Sequence, residues 1–127
     1  MPVHARIDAT ARLLVVEEID DVSHDERLDA MRRWIADPGF RPDLDTLLDL
    51  TSARSAPSLS ELRGMLAFDN QRRHEIGFVR IAVVTNQPVV YGAFRQFQAL
   101  AESNNAPFEL RLFSERQTAL AWLRPRD

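Results

Sequence analysis

Apolar positions along the chain switch between two periods. VHARI and then RLLVVEEID read as two short strands joined around Asp8 to Ala11, a hairpin whose β-branched content favours extension. Leu28, Met31 and Ile35 then recur at helical spacing. They follow the SxxE box Ser23 to Glu26, in which hydroxyl and carboxylate satisfy the free amides of a helix start, and Asp37, Pro38 and Gly39 end the pattern. Leu44 to Leu50 has the composition of a strand. Ser58 and Glu61 form a second box, ahead of a helix in which Leu59, Leu62 and Leu66 share a stripe. Its basic end, Arg72, Arg73 and His74, lies where the helix dipole favours cations, and Gly77 terminates it. Phe78 to Thr85, FVRIAVVT, is the most continuous apolar run and predicts a central strand buried on both faces. Asn86, Gln87 and Pro88 open a helix with Val90, Phe94, Phe97 and Leu100 or Ala101 on its apolar side, which breaks at Ser103, Asn104, Asn105 and Pro107. FELRLF is the last strand. Ser114 and Gln117 supply a third box for a short final helix carrying Ala119, Leu120, Trp122 and Leu123.

The predicted order is ββαβαβαβα. Such alternation specifies an α/β fold: a five-stranded, mostly parallel sheet with right-handed crossovers, flanked by four helices and forming a single domain over residues 1–127. The order of strands within the sheet stays open, since only connectivity is read. In such sheets ligands sit beyond the carboxyl ends of the strands, beside helix starts. That places Thr51 to Ser60, Asn86 to Tyr91, and Ser114 on one rim.

Composition narrows the chemistry. With 19 acidic and 16 basic residues the net charge is −3, which offers no general field for nucleic acid or an anionic membrane. The absence of cysteine excludes disulfides and thiolate chemistry and accords with a reducing cytoplasm, the expected location. Every basic residue apart from histidine is arginine, as a GC-rich genome would produce, so Schiff-base chemistry and a phosphate-loop lysine are excluded. No apolar run approaches the length of a membrane span, and the first ten residues lack a signal-peptide pattern.

Catalytic constellations are not evident. LLVVEEID and Asp49 suggest a phosphate-receiving domain, but that needs a lysine after the last strand and another βα unit before the aspartate. His4, His24 and His74 fall on a strand start, a helix-cap region and a helix end; no GxSxG surrounds any serine, and no two histidines have i, i+4 metal-ligand spacing. The expectation is a non-enzymatic chain without metal or cofactor.

The segment TLLDLTSARS followed by a helix, the strand and helix RIAVVTNQPVVYGAFRQFQALAE, and the closing LRLFSERQTALAWL together resemble the SpoIIAA-like superfamily, which includes STAS domains. The resemblance covers nearly the whole chain. It implies a small bacterial α/β module that acts through protein partners or a small ligand. In the anti-sigma-factor antagonists of that superfamily, a serine at the start of the helix after the DL strand is phosphorylated by a partner kinase. Here that position falls on Ser58, preceded by Pro57 and followed by Leu59, Ser60 and Glu61. Glu61 would repel a phosphate and lose its capping partner, so N-capping is the favoured role of Ser58 and phosphorylation the alternative.

The remaining candidate surface follows from helix geometry. Ser58, Ser60, Asn86 and Gln87 line the rim; Tyr91 and Arg95, i, i+4 on one helix, share a face able to hold a small anion or polar ligand. Met65 and Phe68 exceed the narrow Leu62 and Leu66 stripe and predict an apolar patch for a protein partner or second copy. Regulation through protein contact is the first expectation. The alternative is a polar or lipid-like small ligand in a pocket at the helix-start rim: a closed, mainly apolar pocket of roughly a few hundred Å³ with convergent polar groups would favour it, whereas an interaction module should lack one and expose an apolar patch around Met65 and Phe68.

Overall fold

A computed structural model describes residues 2–124. Strands β1 (Val3–Asp8), β2 (Leu13–Asp20), β3 (Asp45–Ala53), β4 (Val79–Val84) and β5 (Phe108–Phe113) form one sheet. Helices α1 (His24–Ala36), α2 (Leu59–Gln71), α4 (Pro88–Ser103) and α5 (Arg116–Trp122) are those the sequence predicts; a single extra turn, α3 (Arg73–Ile76), follows α2. The basic run therefore does not end one helix. Arg72 caps α2 and lays its guanidinium 3.9 Å from the centre of the Phe68 ring, and the chain turns again before Gly77 stops it at φ 73°.

Strand order in the sheet is the chain order, β1-β2-β3-β4-β5. The β1–β2 hairpin is antiparallel and every later pair is parallel. Each crossover thus steps in the same direction, and right-handed connections place α1, α2 and α4 on one face. Along β2 to β5, Leu14 and Val16, Leu48 and Leu50, Ile81 and Val83, and Leu110 turn to that face. Leu13, Val15, Leu47, Ala82 and Val84 turn to the other, where α5 covers them through Ala119 and Leu123.

The first two capping boxes form as predicted. Ser23 Oγ accepts from the Glu26 amide at 3.1 Å while Glu26 accepts from the Ser23 amide at 3.0 Å. Ser58 and Glu61 repeat this at 3.2 and 2.9 Å. The third does not: α5 starts at Arg116, with Glu115 at the N-cap and no side-chain bond. Ser114 lies too early because pairing with β4 runs on through the Thr85 amide to the Phe113 carbonyl, and Arg116 is drawn across to Asp49 at 2.7 Å.

Arg80 fastens α5 to the sheet. Its guanidinium meets Asp45 at 2.8 Å and donates to the carbonyls of Trp122, Leu123 and Arg124 at 2.7 to 3.1 Å, while lying 5.4 Å from the Trp122 ring. These carbonyls belong to the helix end, which has no intrahelical donors for them. Arg80→Ala is expected to lower stability by roughly 2–4 kcal/mol, read as a fall in urea midpoint, and Arg80→Lys to recover only part, since an ammonium cannot reproduce the fork. Ser58→Ala should lower stability by about 1 kcal/mol in the same assay, whereas Ser58→Asp should keep the cap.

Candidate functional site

The rim predicted from the sequence forms, but its candidates do not converge. Ser58 and Ser60 are exposed, with the Ser58 hydroxyl engaged as a cap. Asn86 is exposed; Gln87 is turned inward to β3, its side-chain amide donating to the Ala53 carbonyl, so it serves as a joint between β3 and α4. Tyr91 stands exposed on the first turn of α4, while Arg95 pairs with Gln98 on its own helix. No hydrogen bond joins Tyr91 to Arg95, and none joins a serine of this rim to a histidine, among the described residues. Asp49 is tied into the rim as well. Burial opposes its ionisation, yet hydrogen bonds from Thr51 and then Arg116 outweigh it and hold the carboxyl below the usual range.

Met65 and Phe68 correct the sequence reading. Both are buried, at 8% and 6% exposure, and form no surface patch. The reason is the position of α2 in the helical layer. It lies between α1 and α4, so it needs an apolar side toward each, and a wider stripe than a terminal helix. Leu62 and Leu66 join the α4 core with Phe94 and Phe97, whereas Phe68 faces Arg32 of α1 at 5.8 Å. Met65 belongs to that core too, and it also lines a cavity that α1 borders from the other side.

That cavity, about 100 Å³, lies between α1, α2 and the sheet. Met31, Trp34 and Ile35 of α1, Leu14 and Val16 of β2, Leu48 of β3 and Ile81 of β4 give it apolar walls; Phe40, Leu44 and Ile76 line it as well. It exceeds the voids of an ordinary close-packed core and is smaller than a typical small-molecule pocket, with room for a slim apolar group. Gly64 brings the helices together beside it: a Cβ there would lie 3.2 Å from the His24 ring, so the ring packs directly on the α2 backbone.

Three ionisable side chains line these apolar walls. Glu18 and Arg27, both about 95% buried, form a forked pair with contacts of 3.0 to 3.2 Å. They belong to the end of β2 and the first turn of α1, roughly 13 Å along the sheet from the level of Leu14 and Thr46. Asp69, half-buried where the other two are buried, belongs to the later part of α2, where that helix runs back over the beginnings of the strands. The sequence contained a signal for each that was not used: Glu18 is in phase with Leu14 and Val16, and Asp69 with Met65 and Leu62.

Burial pushes the Asp69 carboxyl up to about 7, opposed only by the Arg72 cation. The folded protein therefore holds this proton more tightly than the unfolded chain, whose Asp ionises near 3.8. Between those two values the unfolded state has lost the proton while the native state keeps it, so this group's contribution to stability declines with rising pH across that window and levels off above about 7. Asp69→Asn should flatten the decline and make the variant more stable than wild type at about pH 8, measured by urea unfolding across pH.

Among the described residues there is no group of three or more histidine, cysteine, aspartate or glutamate side chains arranged to hold a metal, and no helix long and apolar enough to cross a membrane. A comparison with curated proteins finds no match. Among solved structures, the chain is similar to an uncharacterised protein of the DUF3478 family with a SpoIIAA-like fold from Shewanella loihica PV-4. The TM-score is 0.60 and the identity 16%, over 95% of this chain and 91% of that one. At that identity the likeness concerns the fold. The SpoIIAA-like family pattern matches residues 11–124, from the hairpin turn to the end of α5. The five-stranded, mostly parallel sheet and the sequence match agree, and the chain belongs to the SpoIIAA-like family.

Proposed function

We propose that this STAS-like chain is a binding module for a slim, mainly apolar small molecule, held in the cavity between α1, α2 and the sheet. One observation carries the proposal: the apolar excess of α2 that would have served a protein partner is turned inward, where Met65 helps to line an interior space. A domain of this size can close such a space with one larger side chain. Two methionines, Met31 and Met65, border it instead, and their unbranched side chains can adapt to a guest. The site differs from the rim pocket expected from the sequence. It lies beneath the helices and extends toward Phe40, Leu44 and Ile76.

Protein contact is the second reading, and one specific feature favours it. Ile19 at the end of β2, Leu59 at the start of α2, and Val89 and Tyr91 at the start of α4 are exposed apolar or aromatic side chains on elements that share the rim. Regulation by phosphorylation of Ser58, and a cytoplasmic setting, go with this reading. Ser58 opens the same helix as Leu59, so a phosphate there would alter both the cap and the charge of the rim.

Native mass spectrometry of protein purified directly from its host separates the two. A retained small molecule that is lost on organic extraction is the expected result, and a stoichiometric second polypeptide with no small molecule would overturn the proposal. Ile81→Phe, which fills the cavity from the floor, should abolish retention while changing the melting temperature by no more than a few degrees.

A further inference from the structure

The polar groups lining the cavity differ in what they leave unmet. Glu18 and Arg27 are closed on each other through three contacts, so their net charge is zero and much of their bonding capacity is used. Asp69 is different. It shares a helix face with Met65, and its carboxyl takes part in no side-chain hydrogen bond among the described residues. Arg72, on the same helix, is the one charge that acts appreciably on it, and that guanidinium is stacked on Phe68. From α1, Arg32 reaches the other side of the seam but pairs with Asp29; from β2 and α1, the charged residues lining the cavity are the Glu18 and Arg27 pair. A carboxyl on an apolar wall with so little support is held neutral through the acidic range, and in that state it has a hydrogen to donate.

Resting on the binding role proposed above, we infer that Asp69 orients the guest by donating a hydrogen bond to an uncharged oxygen, so that the ligand class is an apolar chain bearing an alcohol, ether, ester or ketone. A free carboxylate is excluded from this class, because a second anion beside Asp69 in an apolar cavity would meet both repulsion and desolvation. A plain hydrocarbon would fit the walls but leave the Asp69 proton without an acceptor, and so bind less well than its oxygenated counterpart.

Octanol, octane and octanoate are the probes, titrated calorimetrically into wild type, Asp69→Asn and Asp69→Leu from roughly pH 5.5 to 8.5. At the acidic end wild type should bind octanol about tenfold or more tightly than Asp69→Leu does, while octane binds both alike and octanoate binds neither well. Above about pH 7 wild type should lose octanol affinity by about tenfold per pH unit as the donor ionises. Asp69→Asn, which keeps an N–H donor but does not titrate, should bind octanol equally across the range. Equal octanol affinity in wild type and Asp69→Leu, or the same decline with pH in Asp69→Asn, would overturn the role of Asp69 while leaving the cavity a binding site. Failure of wild type to bind either octanol or octane at any pH would overturn the binding role itself, and this inference with it. Thermal melts of each variant confirm that the fold is intact, and a neutral replacement at this site removes a half-buried, unpaired acid and so spares the fold.

Discussion

The structure depends on the direction of its winding. Because each parallel strand is added on the same side of the last, right-handed crossovers must bring α1, α2 and α4 to one face of the sheet. Neighbouring strands are about 4.8 Å apart, while helices with their side chains are about 10 Å wide, so three consecutive helices cannot each sit above their own crossover. The layer has to spread. The α2 and α4 helices stay together over β3 to β5, sharing Leu62, Leu66, Phe94 and Phe97 in one core. The α1 helix moves the other way, over the hairpin, where Val3, Leu14 and Val16 meet Ala30 and Val22. The seam between α1 and α2 is the result, and the cavity lies in it.

Spreading of this kind makes the attachment of α1 a separate problem. It is held by the hairpin, by the contact of His24 with Gly64, and by the ion pair of Arg27 with Glu18. A buried pair adds little net stability, because desolvation offsets most of the attraction. It does penalise any arrangement in which one charge is left alone, by about 3–5 kcal/mol, so it fixes where α1 sits on β2 more than how firmly. The opposite face has no such difficulty. Only α5 covers it, and the strands there carry Asp45, Arg80, Asp49 and Glu17, whose charges are met by Arg80, Trp122, Leu123 and Arg116 across the surface.

What could be read from the sequence followed the range of the interactions. Ser23 with Glu26 and Ser58 with Glu61 are contacts three residues apart, and both formed where the SxxE spacing placed them. The alternation of elements was legible for the same reason, and so was the family, since residues 11–124 carry its pattern. Met65 and Phe68 were not. Their spacing correctly showed that α2 has more apolar surface than one stripe, but whether the surplus meets solvent, a partner or α1 depends on the strand order, which connectivity leaves open. Glu18 and Asp69 were missed on similar grounds. A carboxylate in phase with apolar neighbours is ordinarily a surface residue at the margin of a stripe, and only the closing of α1 over β2 and its approach to α2 bury Glu18 and bring Asp69 to the pocket wall. Ser114 failed locally: it has the box spacing, but Arg116 is committed to Asp49, and a contact to a distant strand outweighed the cap.

The size of the cavity bears on why it persists. Apolar packing forgone over a volume of about 100 Å³ costs a domain up to roughly 2 kcal/mol, by the dependence of stability on residual volume. That is an appreciable part of the margin by which a domain of this size is folded. The walls are built of Leu14, Val16, Leu48 and Ile81 on the sheet and of Met31, Trp34 and Met65 on the helices, and an added methylene or ring at any of several of these positions would close the gap. A pocket with adaptable methionines on its helical side and an acid on its wall is what a core built only for stability would eliminate. A guest that occupies it returns the lost contacts and draws α1 and α2 together across the seam, so that binding and the packing of the helical layer become one equilibrium.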